Sequence, residues 1–377
     1  MATKRNSNIE LLRIFAMIMI IAYHIYIHCV YTQLTDANSI DQLKNGLFNT
    51  PGFSRKLLIL TTISPMGQVG NTIFIVISGY FMVSRGTHLN LAKISKKLLL
   101  QQGFAAIVLT LGSTLFMFVV RGKFVNLITI NIFNGMSWYV GYYFGIIVLA
   151  SVFLNEFLSE LDRNQYIKFL LVIFAVTQFS WIGGVLNSLA GGLLTYSIGI
   201  FLYALGGYIQ RYNPYKKIKS ITIIGIILAV YIVIYISEYN LIENKIQMYQ
   251  GGPFFQEIIG FNTNYLVPIV IGILLFELFI RIPIFFNGVA NFIGASTLMI
   301  YLLHDNSFFY SIWNTQDWIT ILYYHPFRYI LKHILWTAGT FLSGVLVYWI
   351  YTIIEKKIIS VTDHRSETTG GDENGQI

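Results

Sequence analysis

Long apolar runs alternate with short polar stretches along this whole sequence. Each run has close to the ~20 residues that an α-helix needs to cross the hydrocarbon core of a bilayer. The runs predict about ten transmembrane helices, at residues 10–30, 60–83, 98–120, 136–157, 167–186, 189–210, 220–238, 263–281, 286–304 and 332–354. Hydrophobic residues make up 55% of the 377 residues and charged residues only 11%, which is roughly half the charged fraction of an ordinary soluble chain. The pattern therefore predicts an all-α polytopic membrane protein.

The basic residues indicate how the predicted helices are oriented. The net charge is +8, and the loops on one side of the predicted bundle hold the larger share of the 25 Lys and Arg residues. Because basic loops stay in the cytoplasm, this distribution places both termini there. It also accounts for the net charge without a nucleic-acid partner, so the expected surroundings are membrane lipid.

The domain boundaries follow from the same pattern. Residues 1–359 form one membrane domain, and residues 360–377 are polar and Gly-rich with no apolar periodicity, so this tail is expected to be disordered in the cytoplasm. Three outer loops, residues 31–56, 239–262 and 305–331, are longer than simple connections. The third loop is rich in aromatic residues, namely Trp313, Trp318, Tyr323, Tyr324 and His325. These are either an interfacial belt or a platform for sugar rings, and the sequence leaves both open.

The first predicted helix carries ionisable residues on one face. Arg13 and His24 are eleven residues apart, which is about three full turns and about 16 Å along an α-helix. Glu10 is one turn before Arg13, and His28 is one turn after His24. Arg13 alone would be an ordinary interfacial anchor and His24 alone a packed polar residue, but together they indicate a functional site, because ionisable groups inside a membrane are costly.

The second predicted helix, GQVGNTIFIVISGYFMV, is followed by a basic loop. Its small residues Gly70, Ser78 and Gly79 permit close helix packing. The loop groups either bind phosphates or only obey the positive-inside rule; they are Arg85, His88, Lys93, Lys96 and Lys97.

Two further segments carry candidate side chains near the outer face. MSWYVGYYFG opens the fourth helix with Trp138. ASTLMIYLLHDN brings Tyr301 and His304 onto one face of the ninth helix, three residues apart. His304 ends its helix and is expected near the outer surface.

These four segments, in this order, resemble the membrane-bound acyltransferase-3 family, which includes bacterial O-acetyltransferases of surface polysaccharides. The resemblance rests on the Arg13-to-His24 spacing, the G-x-x-G…SGY element, the WYV opening and the S-x-x-x-x-Y-L-L-H run, and it covers about residues 10–355. The basic run here is KISKKL, whereas the family's run is usually richer in arginine, whose planar fork suits phosphate better than the point charge of lysine.

The resemblance implies an integral O-acetyltransferase of the bacterial cell membrane. Cytoplasmic acetyl-CoA is then the acyl donor, and a hydroxyl of a capsular polysaccharide, exopolysaccharide or lipid-linked oligosaccharide is the acceptor. His24 acts as general base or as acyl carrier, and Glu10 orients Arg13. The other site residues fall in two groups, a phosphate clamp of Arg85, Lys93, Lys96 and Lys97 and a tunnel lining of His28, Ser78, Trp138, Tyr301 and His304.

Other functions remain possible from the sequence. A transporter or flippase of a polysaccharide precursor would also need many spans and polar intramembrane groups. Succinyl transfer would use the same architecture as acetyl transfer. The histidines are scattered in sequence with no carboxylate at ligand spacing, so no metal is expected. The oligomeric state is left open.

Overall fold

A computed structural model describes residues 6–36, 52–86, 89–122, 138–178, 193–248 and 266–369 of the chain. Within these ranges the regular structure is helical, and there is no β-strand. The α-helices are α1 Ser7–Ile25, α2 Tyr31–Asp36, α3 Phe53–Ile63, α4 Met66–Met82, α5 Leu91–Arg121, α6 Trp138–Leu149, α7 Asn155–Glu160, α8 Arg163–Gln178, α9 Leu193–Tyr212, α10 Ser220–Met248, α11 Leu266–Ile280, α12 Gly288–Ala295, α13 Thr297–His304, α14 Ser307–Trp313, α15 Trp318–Tyr324 and α16 Pro326–Thr369.

The helices are long and apolar enough for a polytopic membrane protein, as the sequence predicts. Among the described residues, six helical segments could cross a bilayer, and they are Ser7–Leu34, Arg55–Arg85, Leu91–Val119, Trp138–Glu160, Ser220–Asn240 and Pro326–Ile358. Two shorter apolar segments, Leu266–Ile280 and Gly288–His304, match two further predicted spans. The helices α8 and α9 match the remaining two, although residues 179–192 between them lie outside the described part. The fold class is confirmed, and the number of crossings and their orientation stay predictions.

Helix α4 forms the centre of the bundle and packs against α1, α9 and α11. Small residues make this packing possible. A Cβ atom on Gly79 would lie 1.9 Å from the backbone oxygen of Tyr203 in α9, and one on Gly70 would lie 2.7 Å from the backbone oxygen of Ala16 in α1. Backbones approach this closely only where a side chain is absent, so the predicted packing role of these glycines is confirmed.

Helices α5 and α10 face the surroundings with apolar side chains. Along α5 the exposed positions recur mostly every four residues, and they are Leu99, Ile107, Leu111, Leu115 and Val119. A stripe of this kind would be unfavourable in water and is suited to lipid.

The aromatic third loop is neither a surface belt nor an open platform at its two tryptophans. Trp313 and Trp318 are both 0% exposed. The Trp313 indole N–H donates to Thr340 Oγ1 at 3.2 Å, and the Trp318 indole N–H donates to the Trp313 backbone oxygen at 3.0 Å. Both expectations are therefore wrong for these residues, because α14 and α15 pack on residues 26–36, which follow α1, and α15 packs on α16. This packing buries the indoles. The other two long loops lie largely outside the described residues.

The last helix runs through the boundary predicted at residue 359. Helix α16 continues to Thr369, and residues 370–377 lie outside the described part. Toward its other end α16 packs on α1, α13 and α15, so its apolar half belongs to the membrane domain.

Candidate active site

The start of α1 is anchored by the polar residues that precede its apolar run. The Ser7 hydroxyl donates to Asn291 Oδ1 at 2.8 Å, and the Asn8 amide donates to the backbone oxygens of Phe279 and Ile282 at 3.1 and 3.0 Å. Both anchor residues are buried. Because these bonds reach the end of α11 and the segment before α13, they fix the position of α1 at the end that carries Arg13.

Arg13 pairs with Glu10 as the sequence spacing suggests. An Arg13 guanidinium N–H donates to Glu10 Oε1 at 2.8 Å, with the Glu10 side chain buried and the Arg13 side chain 30% exposed. Helix α12 presses on this pair, since a Cβ atom on Gly294 would lie 2.2 Å from Glu10 Oε2. The pair is therefore held on one side by backbone and has little freedom to move.

A cavity of about 320 Å³, called here the Arg13 cavity, opens beside this pair. Residues of α1, α4, α5, α6, α12 and α13 line it, mostly with apolar and aromatic side chains. Arg13 and Lys97 are the two cations of its lining, and Ser78 lines it from α4. The Ser78 hydroxyl donates to the Phe74 backbone oxygen at 2.9 Å, which is a local bond within α4.

A second, smaller cavity of about 210 Å³, called here the His24 cavity, lies further along α1. Its lining is more polar and comes from α1, α4, α6 and α13, with the residues Ile20, Tyr23, His24, Gly67, Gln68, Asn71, Trp138 and Tyr301. Ile20 and Tyr301 also line the Arg13 cavity. The two cavities are therefore neighbours, and these two side chains stand between them.

The face of α1 that carries Arg13 and His24 runs along both cavities. Arg13, Met17 and Ile20 line the first, and Ile20 and His24 line the second. The steps of four, three and four residues are those of one α-helical face. The predicted shared face is what the structure has, with one end beside cations and the other beside polar groups.

His24 is directly paired with His304. His24 Nδ1 and His304 Nε2 are 2.7 Å apart, and the two rings are near parallel with centroids 4.9 Å apart. His304 Nδ1 is 3.0 Å from the backbone oxygen of Ile300. His304 is 0% exposed, because the helix ends at His304 and α14 begins directly after it at Ser307. The residue is therefore enclosed by protein, and its depth in the membrane stays a prediction.

These contacts fix the hydrogen positions on the two rings. A backbone oxygen only accepts, so His304 Nδ1 carries a hydrogen, and Nε2 of the neutral ring is an acceptor. His24 Nδ1 must then donate to it. In the neutral His24 ring this leaves Nε2 with a lone pair, which is the arrangement of a general base.

An acidic residue that the sequence analysis did not single out completes the cluster. Asp305 Oδ1 lies 3.7 Å from both His24 Nδ1 and His28 Nε2. It also accepts a hydrogen bond from the Tyr310 hydroxyl, and the Tyr310 ring stacks on His28 with centroids 4.0 Å apart. The 8% exposed Asp305 gives this end of α1 a fixed negative charge beside two imidazoles.

Donor atoms of His24, His28 and Asp305 all lie within 4.8 Å of one another. Two imidazoles and one carboxylate are a donor set that zinc and iron use in proteins. The expectation that no carboxylate lies at ligand spacing from the histidines is therefore wrong, because the fold brings together groups that are about 280 residues apart in the chain. Whether a metal binds stays a prediction.

His28 lies in a π-helical turn, Tyr26–Val30, that directly continues α1 beyond His24. Such turns widen the helix and recur at functional sites. His333 of α16 lies beside this widening, with Nε2 3.0 Å from the Ala22 backbone oxygen. Neither the turn nor this contact has a signal in the sequence.

The predicted phosphate clamp is only partly assembled. All four side chains are exposed. Lys97 lines the Arg13 cavity, and Arg85, Lys93 and Lys96 line neither cavity. His88 lies outside the described residues. Trp138 and Tyr301, predicted as tunnel residues, do line the His24 cavity. His28 lines neither cavity, and its side chain is 36% exposed.

The family model described as an acyltransferase domain matches residues 6–354, which is nearly the whole chain. No curated protein and no solved structure matches the chain. The match includes the full length of α1, both cavities and the His24 cluster. The chain therefore belongs to the acyltransferase-3 family.

Proposed function

We propose that this membrane acyltransferase moves an acetyl group from cytoplasmic acetyl-CoA to a hydroxyl of a cell-surface polysaccharide or its lipid-linked precursor, in the bacterial cell membrane. The observation that carries the proposal is the pair of adjoining cavities along one face of α1. The first cavity is lined by the cations Arg13 and Lys97, and the second is lined by His24, whose Nε2 can accept a proton.

The Arg13 cavity suits the donor. Coenzyme A has phosphate groups at one end and a long, weakly polar arm that carries the thioester at the other. Arg13 and Lys97 supply positive charge, and the mainly apolar remainder of the lining suits the arm. Glu10 holds the Arg13 guanidinium in place, which lowers the entropy lost when a phosphate binds.

The His24 cavity suits the acceptor. Gln68 and Asn71 offer both donors and acceptors for hydroxyl groups, and Trp138 offers an aromatic face. A sugar ring needs this combination, because its edges are polar and its faces carry C–H groups.

The chemistry proceeds with His24 as general base. His24 Nε2 takes the proton of the acceptor hydroxyl while the hydroxyl oxygen attacks the thioester carbon. The tetrahedral intermediate then releases the coenzyme A thiolate, which recovers the proton from His24. His304 and Asp305 assist by holding the Nδ1 side of the ring. In the alternative role, His24 Nε2 itself accepts the acetyl group and passes it on.

The test uses inverted membrane vesicles from the native host, in which the cytoplasmic face is outside. [¹⁴C]Acetyl-CoA is added, and base-labile label in the polymer or lipid-linked fraction is measured in vesicles with and without this protein. We expect label only with the protein present. [¹⁴C]Succinyl-CoA in parallel determines the acyl group, and acid-quenched protein that carries label would identify the acyl-carrier route.

Absence of label from either thioester, together with loss of polymer export in a strain that lacks the protein, would contradict the proposal. That pair of results would identify a transporter of the polysaccharide precursor instead.

A further inference from the structure

Two tyrosine hydroxyls beside the cavities have no hydrogen-bond partner of normal geometry among the described residues. They belong to Tyr139 of α6 and Tyr301 of α13, and both oxygens are buried. The two rings are adjacent, with centroids 5.5 Å apart. Native proteins rarely bury a polar group without a partner, so two such groups side by side need an explanation.

The fold satisfies comparable hydroxyls elsewhere. The buried hydroxyl of Tyr166 donates to the Ala204 backbone oxygen at 2.8 Å, and that of Tyr203 donates to Asn155 Oδ1 at 3.0 Å. The backbone N–H of Tyr139, at the start of α6, approaches the Tyr301 oxygen, but this contact uses the oxygen and leaves the Tyr301 hydroxyl hydrogen without an acceptor. Both tyrosines thus retain a hydrogen to donate.

The two tyrosine side chains lie at the cavities, although their hydroxyl oxygens are buried in the structure. Tyr139 lines the Arg13 cavity, and Tyr301 lines both cavities. The Tyr301 ring also meets the His304 ring edge-on with centroids 5.7 Å apart, and His304 is the residue that pairs with His24. An acyl group passing from one cavity to the other must come to the side chains that separate them.

We propose that Tyr301 and Tyr139 are catalytic residues, whose hydroxyls donate hydrogen bonds to the carbonyl oxygen of the thioester. This proposal rests on the acyltransferase function proposed above. When the acceptor oxygen adds to the thioester carbon, the C=O electron pair moves onto the carbonyl oxygen, and the two O–H donors stabilise that negative charge. This electron pair then re-forms the C=O bond as the C–S bond breaks and the sulfur leaves with its bonding electrons. The tyrosines keep their protons throughout, and the proton of the acceptor passes through His24 to the sulfur.

A low-dielectric site strengthens this effect. Donors that are already in place and shielded from water stabilise a developing charge more than water does, because they need no reorganisation during the reaction. Among the described residues the two hydroxyls have no acceptor, and the carbonyl oxygen of the thioester would provide one.

The experiment compares Tyr301→Phe, Tyr139→Phe and the double variant with wild type in the vesicle assay, at varied [¹⁴C]acetyl-CoA. Tyr26→Phe is the matched control. The Tyr26 hydroxyl is also buried and has no hydrogen-bond partner in the described part of the chain. Tyr26 is two residues from His24 but lines neither cavity. Membrane level and thermal unfolding of each variant are measured in detergent.

We expect kcat to fall about 100-fold for Tyr301→Phe, as is typical for loss of one oxyanion donor, with KM for acetyl-CoA unchanged. The kcat of Tyr139→Phe should also fall, and the kcat of Tyr26→Phe should equal that of wild type. Wild-type kcat in both cavity variants, or an equal fall in Tyr26→Phe, would overturn this assignment. Lack of transfer by wild type would instead overturn the proposed function itself.

Discussion

The two ends of the α1 face are built in different ways. At one end, Arg13 and Glu10 form a pair within a single helix, and the neighbouring helices add a cavity with one further cation. At the other end, His24 is paired with His304 from α13 and lies close to Asp305 after it. A site within one helix can be derived from residue spacing, whereas a site assembled between helices depends on how they pack.

The difference also separates the expected roles. The Arg13 end has two cations and the larger cavity, so we expect it to bind the donor. The His24 end has an oriented proton acceptor, so we expect it to act in the chemical step. Variants at the two ends should therefore change different kinetic constants, and the predictions below run from the largest expected effect to the smallest.

His24→Gln should have the largest effect. Glutamine keeps a polar side chain but cannot accept the proton, so kcat should fall by about 10²- to 10⁴-fold with KM for acetyl-CoA unchanged. The measurement is initial rate against [¹⁴C]acetyl-CoA in inverted vesicles. A fall of less than a few-fold at equal protein level would remove His24 from the chemical step.

Arg13→Gln should mainly raise KM for acetyl-CoA. Loss of charge-assisted hydrogen bonds worth about 1.5–3 kcal/mol corresponds to a rise of about 10- to 150-fold. Arg281→Gln is the matched control, because Arg281 pairs with Glu277 at 2.8 Å but lines neither cavity. If both variants raise KM equally, the Arg13 cavity is not the donor site.

Asp305→Asn should lower kcat by about one order of magnitude, or about 1.4 kcal/mol in the barrier. The carboxylate no longer stabilises the protonated His24 ring from 3.7 Å away. Asp317→Asn is the control, since the Asp317 side chain caps α15 by accepting from the Thr320 N–H. Equal rates for Asp305→Asn and wild type would show that the carboxylate is structural.

Gly294→Ala should act on the Arg13 end alone. The new Cβ would clash with Glu10 at 2.2 Å, and such overpacking costs about 1–3 kcal/mol. We expect a lower unfolding temperature and a raised KM for acetyl-CoA. Gly339→Ala in α16 is the control, because its Cβ meets nothing within 4 Å. It should leave KM unchanged and leave the unfolding temperature unchanged or slightly higher. An unchanged KM and unfolding temperature in Gly294→Ala would mean that the Arg13–Glu10 pair is mobile.

Chelation should have the smallest effect. His24 Nδ1 is already committed to His304, and proton transfer through Nε2 needs no ion. We therefore expect EDTA-treated vesicles to keep their rate. A loss of rate that Zn²⁺ restores, with one metal ion per purified chain, would instead assign the His24, His28 and Asp305 donors to a metal.

The sequence predicts much of the fold and one end of the site. The all-α class follows from the length of the apolar runs, and the shared face of Arg13 and His24 follows from helix geometry alone. The packing role of Gly70 and Gly79 is predictable too, since small residues allow close contact wherever they face a neighbour.

The rest depends on tertiary structure. Asp305 at the end of a predicted span resembles any charged loop residue, and only the turn into α14 brings it to His24. The burial of Trp313 is likewise invisible, because an outer-loop tryptophan is normally interfacial. The candidate role of Tyr139 likewise follows only from the structure, where its buried hydroxyl has no hydrogen-bond partner among the described residues.

The most direct test of the central claim is the O-acetyl content of surface polysaccharide, measured by NMR in a strain that lacks this protein. The strain is complemented with wild type or with His24→Ala at matched membrane levels. The account predicts that wild type restores the ester signal and His24→Ala does not, while the amount of polymer is the same. Restoration of the ester by His24→Ala would contradict the mechanism, and loss of polymer with unchanged ester per sugar would contradict the acyltransferase function.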